Sequence, residues 1–424
     1  MEPPSGSAAR DRREVTWNVV GLGIAGLVGI VILVAIAALH GPEALGRFNL
    51  LFATYLIGSQ VATLGLHVSV VRYVAPLSAG RQRTTVLYGA ILAVLASGSV
   101  AALLLLLLRD PLLLKLGRPE LVDGMGYVAG GILLFSVNKV LLASLTAAGA
   151  MREHALLMAA RGVLMLGVLA SLSVMGTSGE DLIVVLVLSE GALVALLAFS
   201  TRRAFSGGAS LPEVLRWTLR HLRFGLLGAG STLLTELNIR VDVVVLAFFV
   251  DDRAIGVYTL VATLSEAALQ LPLVYRTVLG PGIVRLIERS DVTGLREQVR
   301  GTRVRLWSVM ALLAGSLMLL FPGLARILDA DRAFLEGWPV LAILLVGVVI
   351  ASGYVPFSLA LAHGGRPLAQ TGLVGALVLV NLVGNLALVP ALGLIGAAAA
   401  TAAAQVVSIP LLRLTVKRRL GLRL

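Results

Sequence analysis

Ionisable side chains recur inside apolar runs that are long enough to cross a lipid bilayer. An ionised group near the bilayer centre costs at least about 2.5–3.5 kcal/mol, so such a group is usually paired or takes part in function. Guanidinium and ammonium groups suit phosphate, and carboxylates suit a bound cation or proton. The candidates within the apolar runs are Lys139, Glu190, Glu236, Arg240, Asp242, Glu266 and Arg276. Their types predict a site for an anionic substrate, for a coupling cation, or for both.

Four polar residues in one of these runs fall on two faces of a single helix. Glu236 and Arg240 are four residues apart, so they share a face and can form an ion pair. Asn238 and Asp242 form a second face by the same spacing. A lipid-facing helix would not be this polar, and this segment is therefore predicted to line a cavity or a helix interface.

Three further polar side chains are candidates for a cavity wall. Gln60 and His67 are seven residues apart and are expected on one face of a continuous helix, where a packing seam is the alternative. Arg72 either contacts substrate or flanks the inner end of that helix. The predicted substrate-binding set is Arg240, Arg276, Lys139, Arg72, Gln60 and His67, and the predicted set for a coupling ion or charge balance is Glu236, Asp242, Glu266 and Glu190. Structural pairing between packed helices is the alternative for every member, and helix packing is an equal alternative for Glu190.

The elements that must position these residues are transmembrane helices. The chain of 424 residues is 58% hydrophobic and 14% charged, whereas a soluble chain carries roughly 25% charged residues. An apolar run of about 20 residues crosses the hydrocarbon as a helix, because the backbone there must satisfy its own hydrogen bonds. We predict an all-α integral membrane protein with about twelve transmembrane spans, at 17–39, 46–75, 85–108, 123–147, 155–175, 182–200, 224–249, 254–284, 304–328, 336–362, 368–389 and 393–416.

The charges in the connections predict the orientation of the chain. Basic clusters, such as Arg81 with Arg83, alternate with connections that hold acidic turns, such as Asp251-Asp252. Arg152 and Arg161 are counted among the inner charges that flank spans 4 and 5. The positive-inside rule then places both termini in the cytoplasm, in a multi-pass protein of the inner or plasma membrane. The net charge of +12 follows this topology and forms no continuous patch, so no nucleic-acid partner is predicted.

Several chemistries are excluded by the residues that the sequence lacks. It has no cysteine, which excludes disulfides, thiolate metal sites and cysteine nucleophiles. It has no Walker-type phosphate loop, no His-Glu-x-x-His and no cluster of metal ligands. We therefore predict no enzyme activity, no catalytic residues, no metal and no cofactor, and we consider coupling to a proton or sodium gradient as the energy source.

The two halves of the sequence echo each other. Residues 43–53, which enter span 2, share their Ala, Gly, aromatic and Leu positions with residues 253–263, which enter span 8, 210 residues later. Six spans in each half give a parallel repeat, as in alternating-access transporters. The predicted organisation is a cytoplasmic tail 1–16, an N-lobe 17–200, a linker 201–223 with an amphipathic stretch, a C-lobe 224–416 and a cytoplasmic tail 417–424.

Two segments resemble a known transporter family. GPEALGRFNLLFATYLIGSQVATLGLHVSVVRYVA (41–75) is similar to the second helix of the polysaccharide-unit (Wzx-like) flippases, polysaccharide biosynthesis proteins of the MOP, or MATE-like, superfamily. RVDVVVLAFFVDDRAIGVYTLVATLSEAALQLPLVYRTVLGPGIVRL (240–286) resembles that family's helix 7, acidic turn, Gly-x-Tyr and proline-bearing helix 8. The family's aspartate in helix 7 maps to Asp242.

The resemblance implies a fold and a function. The fold would be the MATE-like V of two six-helix lobes around a central cavity. The function would be to flip polyprenyl-(pyro)phosphate-linked oligosaccharide or polysaccharide units from the inner to the outer leaflet by alternating access, without ATP hydrolysis by this chain. The partners would be the lipid-linked glycan, membrane lipids and the polysaccharide assembly machinery.

Other functions remain open from the sequence. A multidrug or small-molecule cation antiporter of the same superfamily would share the fold, although the balance of basic and acidic candidates suits an anionic substrate better. A membrane-embedded glycosyltransferase or glycan polymerase would need sizeable outer loops with acidic catalytic residues, and the connection 40–46 offers Glu43 alone. A non-transporting membrane subunit would predict few buried charges.

Overall fold

The structure is a computed structural model, and it describes residues 5–78, 80–177, 179, 181–202, 207–289, 291–328 and 332–422. These residues form helices and no strand. The helices are α1 (Ser5–Thr63), α2 (Leu66–Val74), α3 (Arg81–Leu116), α4 (Val122–Ala147), α5 (Met151–Val174), α6 (Val184–Thr201), α7 (Leu211–Leu246), α8 (Asp252–Glu288), α9 (Val292–Leu328), α10 (Trp338–Ser352), α11 (Ala360–His363) and α12 (Pro367–Leu420).

Nine helical stretches among the described residues are long and apolar enough to cross a membrane. Two of them, Gly26–Thr63 and Pro367–Leu420, each contain one residue with non-helical backbone angles. These residues are Gly41 (φ 79°) and Gly393 (φ 53°), where glycine adopts a positive φ without steric cost. If these two stretches are divided at their glycines and α7 is counted as well, the described helices give one segment for each predicted span. The prediction of an all-α membrane fold with about twelve spans is confirmed.

Two predicted spans are interrupted within the membrane-spanning region. Span 2 is not one helix, because α1 ends at Thr63, α2 begins at Leu66, and both Leu64 (φ 46°) and Gly65 (φ 70°) have positive φ. The seven-residue spacing of Gln60 and His67 therefore does not place them on one face of a continuous helix, and that prediction was wrong. Span 10 is divided into α10, a short 3-10 turn at Val355–Phe357 and α11. Pro356 lies in this turn and cannot donate the hydrogen bond that a continuous helix requires.

The chain forms two compact units. Unit 1 consists of Met1–Ala35 and Leu51–Glu236, and unit 2 consists of Ile36–Leu50 and Leu237–Leu424. In unit 1, α2, α3 and α4 pack around the buried side chains Leu66, Val70, Val86, Ala90 and Val140. In unit 2, α8, α9, α12 and the segment around α11 enclose Ile283, Leu295, Phe357, Leu361 and Leu412. The lobe boundaries drawn from the sequence remain a prediction.

Within unit 2, α1 and α8 cross at two glycines that occupy equivalent positions of the sequence repeat. A Cβ added to Gly46 would lie 1.8 Å from the backbone oxygen of Asp252, and one added to Gly256 would lie 1.8 Å from that of Pro42. The two contacts are reciprocal, because Pro42 and Asp252 are themselves equivalent, 210 residues apart. Beside them, Arg47 Nε donates to Asp252 Oδ2 at 2.9 Å. The crossing supports the sequence repeat, because equivalent residues of the two repeat units contact each other there.

Candidate functional site

Three of the predicted residues form one chain of hydrogen bonds in unit 1. Lys139 Nζ on α4 donates to Gln60 Oε1 on α1 at 2.9 Å, and Gln60 Nε2 donates to Glu236 Oε2 on α7 at 3.3 Å. All three side chains are half-buried. A carboxamide both donates and accepts, so Gln60 bridges the Lys139 ammonium and the Glu236 carboxylate. The arrangement leaves the Lys139 ammonium without an ion pair among the described residues.

Glu190 is fully buried in unit 1 and its carboxylate is saturated with donors. Arg161 Nη2 and Nε donate to Glu190 Oε1 at 2.6 and 2.8 Å, and the Tyr55 hydroxyl donates to the same oxygen at 2.7 Å. Asn138 Nδ2 donates to Oε2 at 2.8 Å. These four residues come from α5, α1, α4 and α6, so the cluster joins four helices. The arrangement favours the helix-packing alternative for Glu190.

Arg161 corrects one assignment drawn from the sequence. It was counted as an inner flanking charge, but it lies more than two turns into α5 and pairs with Glu190. Its guanidinium carbon also lies 4.9 Å from the centre of the Phe135 ring, and Lys139 Nζ lies 5.7 Å from the same ring. The Phe135 ring thus lies near both the Arg161 guanidinium and the Lys139 ammonium.

A second polar network lies in unit 2 and contains Asp242. This carboxylate is 7% exposed. The Tyr258 hydroxyl donates to its Oδ2 at 2.5 Å, and the backbone N–H of Val243 donates to Oδ1 at 2.8 Å. Within the described chain Asp242 makes no ion pair, so its donors are neutral. Such a carboxylate is suited to hold a proton or a small cation.

Two asparagines of α12 form hydrogen bonds beside the polar face of α7. Asn381 Nδ2 donates to the backbone oxygen of Asn238 at 3.3 Å, and Asn385 Nδ2 donates to Asn381 Oδ1 at 2.9 Å. Interhelical hydrogen bonding is the usual role of asparagine in a membrane. The backbone of α7 at Asn238 thus contacts α12 within unit 2.

Arg276 on α8 is a half-buried cation in unit 2 without a carboxylate partner. Its Nη1 donates to Ser358 Oγ at 3.4 Å, and it makes no ion pair with any described residue. An uncompensated guanidinium within a predicted span is unfavourable unless an anion binds to it. Arg276 is therefore the predicted residue whose surroundings most favour an anionic ligand.

Four further predicted residues lie on α2, α7 and α8. Arg240 and Glu266 are half-buried on α7 and α8. His67 is half-buried on α2, and its Nδ1 has no hydrogen-bond partner among the described residues. Arg72 is exposed in the last turn of α2, with its guanidinium carbon 5.3 Å from the centre of the Phe224 ring. No group of three His, Asp or Glu side chains within the described ranges could hold a metal ion.

The site residues that sequence reasoning missed are partners of residues that it found. Tyr258 belongs to the Gly-x-Tyr of the segment 240–286, so its motif was visible although its bond to Asp242 was not. Arg161 lies six residues inside predicted span 5, and that depth was the available signal. Tyr55 and Asn138 carry no signal in the sequence, because a lone Tyr or Asn in an apolar run is compatible with simple packing.

Comparison with known proteins bears on the family and on the fold. A family model described as "Polysaccharide biosynthesis protein" matches residues 12–287. No curated protein sequence matches the chain significantly.

Solved membrane-transporter structures share the fold. The lipid II flippase MurJ, in an inward closed conformation, matches with a TM-score of 0.75 at 13% identity, over 95% of this chain and 87% of that chain. An inward-facing MATE-family multidrug resistance transporter of the MOP superfamily matches with a TM-score of 0.70 at 16% identity, over 95% and 98% of the two chains. A mutant of the Vibrio cholerae MATE transporter VcmN matches with a TM-score of 0.64 at 16% identity, over 98% of each chain.

At these identities the structural matches show the fold alone, whereas the family model covers well over half of the sequence. The resemblance drawn from residues 41–75 and 240–286 is confirmed. The chain thus belongs to the polysaccharide biosynthesis protein family, and it has the all-α transporter fold found in MurJ and the MATE proteins.

Proposed function

We propose that this protein moves a polyprenyl-(pyro)phosphate-linked oligosaccharide from the inner to the outer leaflet of the cell membrane by alternating access. Membership of the polysaccharide biosynthesis family carries the proposal. The fold that the chain shares with a protein named as a lipid II flippase agrees with it. Both termini are cytoplasmic in this proposal, and a proton or sodium gradient supplies the energy.

The charge distribution supports a phosphate-bearing substrate. Arg276 is a half-buried cation that makes one hydrogen bond, to Ser358, and no ion pair within the described chain. Its fork of N–H donors matches the oxygens of a phosphate, whereas a lysine would act as a point charge. Lys139 supplies a second cation, held by Gln60 in unit 1. A cationic drug would be repelled by both residues.

Transport of a labelled glycolipid tests the proposal. Purified protein is reconstituted into vesicles that contain a polyprenyl-pyrophosphate oligosaccharide, and an impermeant sugar-oxidising enzyme reports how fast the sugar reaches the outside. We expect wild type to accelerate exposure, Arg276→Gln to lose most of that rate and Arg276→Lys to retain part of it. Arg289→Gln is the control, because Arg289 is an exposed cation just beyond the end of the same helix.

Two outcomes would contradict the proposal. An Arg276→Gln rate equal to that of wild type would remove Arg276 from the substrate site. Gradient-driven uptake of a cationic drug, together with no glycolipid movement, would favour the antiporter and end the flippase assignment.

A further inference from the structure

A pocket lined mainly by polar side chains lies in unit 1 where α3 and α7 begin. Its volume is about 370 Å³, and its lining consists of Arg81, Gln82, Thr85, Glu213, Arg216 and Trp217. None of these residues belongs to the predicted substrate or ion set. The pocket therefore calls for an explanation other than the transport site.

The walls of the pocket are held by close packing between α3 and α7. A Cβ added to Gly89 would lie 2.6 Å from Trp217 Cβ, so the two helices touch at that glycine. Thr218 Oγ1 donates to the Gly89 backbone oxygen at 3.2 Å. One turn further along α7, His221 Nε2 lies 3.2 Å from the Val86 backbone oxygen, and its Nδ1 contacts Ser69 Oγ. Trp217 and the part of α7 around it are thus positioned by buried contacts.

The lining carries an excess of positive charge. Arg81 Nη2 lies 3.7 Å from Glu213 Oε2, and both side chains are largely exposed, so this pair is weak. Arg216 makes no hydrogen bond or ion pair with a described residue. Arg220, one turn beyond, stacks with its guanidinium carbon 4.8 Å from the Trp217 ring centre and 4.9 Å from that of Tyr73. Stacking fixes a guanidinium while leaving its N–H donors available.

The position of the pocket matches the headgroup level of a bilayer. Predicted span 3 begins at residue 85, and the pocket surrounds that point. Tryptophan and tyrosine are enriched at this level, and basic pockets between membrane helices bind anionic headgroups. We propose that this pocket binds the phosphate headgroup of an anionic lipid, with Arg81 and Arg216 as the phosphate ligands.

Two sources could supply this headgroup. One is a bilayer phospholipid with a single phosphate diester, which would anchor the start of α7. The other is the pyrophosphate of a polyprenyl carrier, which would place the pocket on the approach of the substrate. Both use the same guanidinium–phosphate chemistry, so the choice between them is made by experiment.

Lipid-dependent thermal stabilisation of the purified protein in detergent tests the pocket. A ligand that binds only the folded state raises the melting temperature, and the stabilisation grows with the logarithm of one plus the ratio of free ligand concentration to Kd. The probes are short-chain phosphatidylglycerol, farnesyl pyrophosphate, short-chain phosphatidylcholine and inorganic pyrophosphate. We expect phosphatidylglycerol or farnesyl pyrophosphate, whichever is the source, to stabilise wild type at concentrations where phosphatidylcholine and inorganic pyrophosphate do not.

Charge variants assign that effect to the pocket. The double variant Arg81→Gln with Arg216→Gln should weaken the apparent affinity roughly 30-fold, because each basic residue near a lipid surface contributes roughly fivefold. Glu213→Gln should strengthen it, because a carboxylate beside the phosphate is removed. Arg296→Gln with Arg300→Gln is the matched control, since it removes two exposed arginines of α9.

Each outcome of these measurements either identifies the lipid that binds or contradicts the proposal. A larger effect of farnesyl pyrophosphate identifies the carrier as the source, and a larger effect of phosphatidylglycerol identifies the bilayer. Equal stabilisation by phosphatidylcholine, or an equal loss of affinity in the control variant, would overturn the proposal. Weaker binding in Glu213→Gln would also overturn it, and this variant keeps both arginines. None of these measurements depends on transport.

Discussion

Glu190 and Asp242 are both buried carboxylates within predicted spans, but the groups that donate to them differ in charge. Glu190 accepts two hydrogen bonds from the Arg161 guanidinium. Asp242 accepts from the Tyr258 hydroxyl and from a backbone N–H. Removing the charge of a carboxylate held by a buried cation leaves that cation without a counter-charge, which is strongly unfavourable. A carboxylate held by neutral donors leaves no cation unpaired when its charge is removed.

This difference predicts separate effects for two conservative substitutions. Asp242→Asn should keep normal abundance and melting temperature, since an amide oxygen still accepts from Tyr258, while transport loses its dependence on a proton or sodium gradient. Glu190→Gln should instead lose about 3–5 kcal/mol of stability, because Arg161 is left without its partner. Melting temperature and glycolipid transport with and without each gradient measure both effects. Unchanged gradient dependence in Asp242→Asn would exclude Asp242 as the ion site, and a normal melting temperature in Glu190→Gln would contradict a structural role.

Sequence reasoning identified the charged residues better than it identified their partners. Charges inside long apolar runs are visible without any structure, which is why Lys139, Glu190 and Asp242 were found. Arg161 was misassigned because proximity to the end of a span resembles a flanking charge. Its pairing depends on how α5 packs against α6. Helix periodicity determines which face of α5 carries Arg161, but it does not determine which helix packs against that face.

The number and order of the helical segments followed from the apolar runs, whereas helix lengths and helix interruptions did not. The break at Leu64 and Gly65 lies against α7, where a Cβ on Gly225 would be 2.6 Å from the Leu64 backbone oxygen. A glycine within a helical pattern is either tolerated or ends the helix, and tertiary contacts of this kind decide between the two. By contrast, the repeat visible in the sequence did indicate a pair of equivalent glycines, Gly46 and Gly256, which the structure places in contact.

The crossing of α1 and α8 predicts that neither glycine accepts a methyl group. In Gly46→Ala and Gly256→Ala the added carbon meets a backbone oxygen, which cannot rotate away as a side chain can. Each variant should lose about 1–3 kcal/mol or force the two helices apart. Thermal unfolding of the purified variants measures the loss.

Gly167→Ala is the control for this effect. Gly167 lies within α5 with no atom near its added Cβ, so alanine should be neutral or stabilising there by up to about 1 kcal/mol. Equal melting temperatures for Gly46→Ala, Gly256→Ala and Gly167→Ala would show that the crossing is not close-packed in solution.

At the scale of the whole molecule, the orientation in the membrane rests on charge alone. The family match and the shared fold leave open which end of each helix faces the cytoplasm. The positive-inside rule gives an orientation that alternates at each connection, so an error in the number of spans would reverse every later connection. A test should therefore sample connections separated by an odd number of predicted spans.

The absence of cysteine makes that test direct, because any labelled thiol is the introduced one. Cysteines at Arg296 and Arg366 should be shielded from an impermeant thiol reagent in intact cells, and cysteines at Glu120 and Glu336 should react. All four side chains are exposed, so failure to react reports the side of the membrane and not burial. Five predicted spans separate Glu120 from Arg296, and one span separates each later pair. The opposite pattern at all four sites would invert the protein and place the Arg81–Arg216 pocket at the outer surface. Normal reaction at Glu120, together with reaction at Arg296 and Arg366 and shielding at Glu336, would instead show that α9 begins and ends on the sides opposite to those predicted. That pattern would require one more or one fewer span between Glu120 and Arg296.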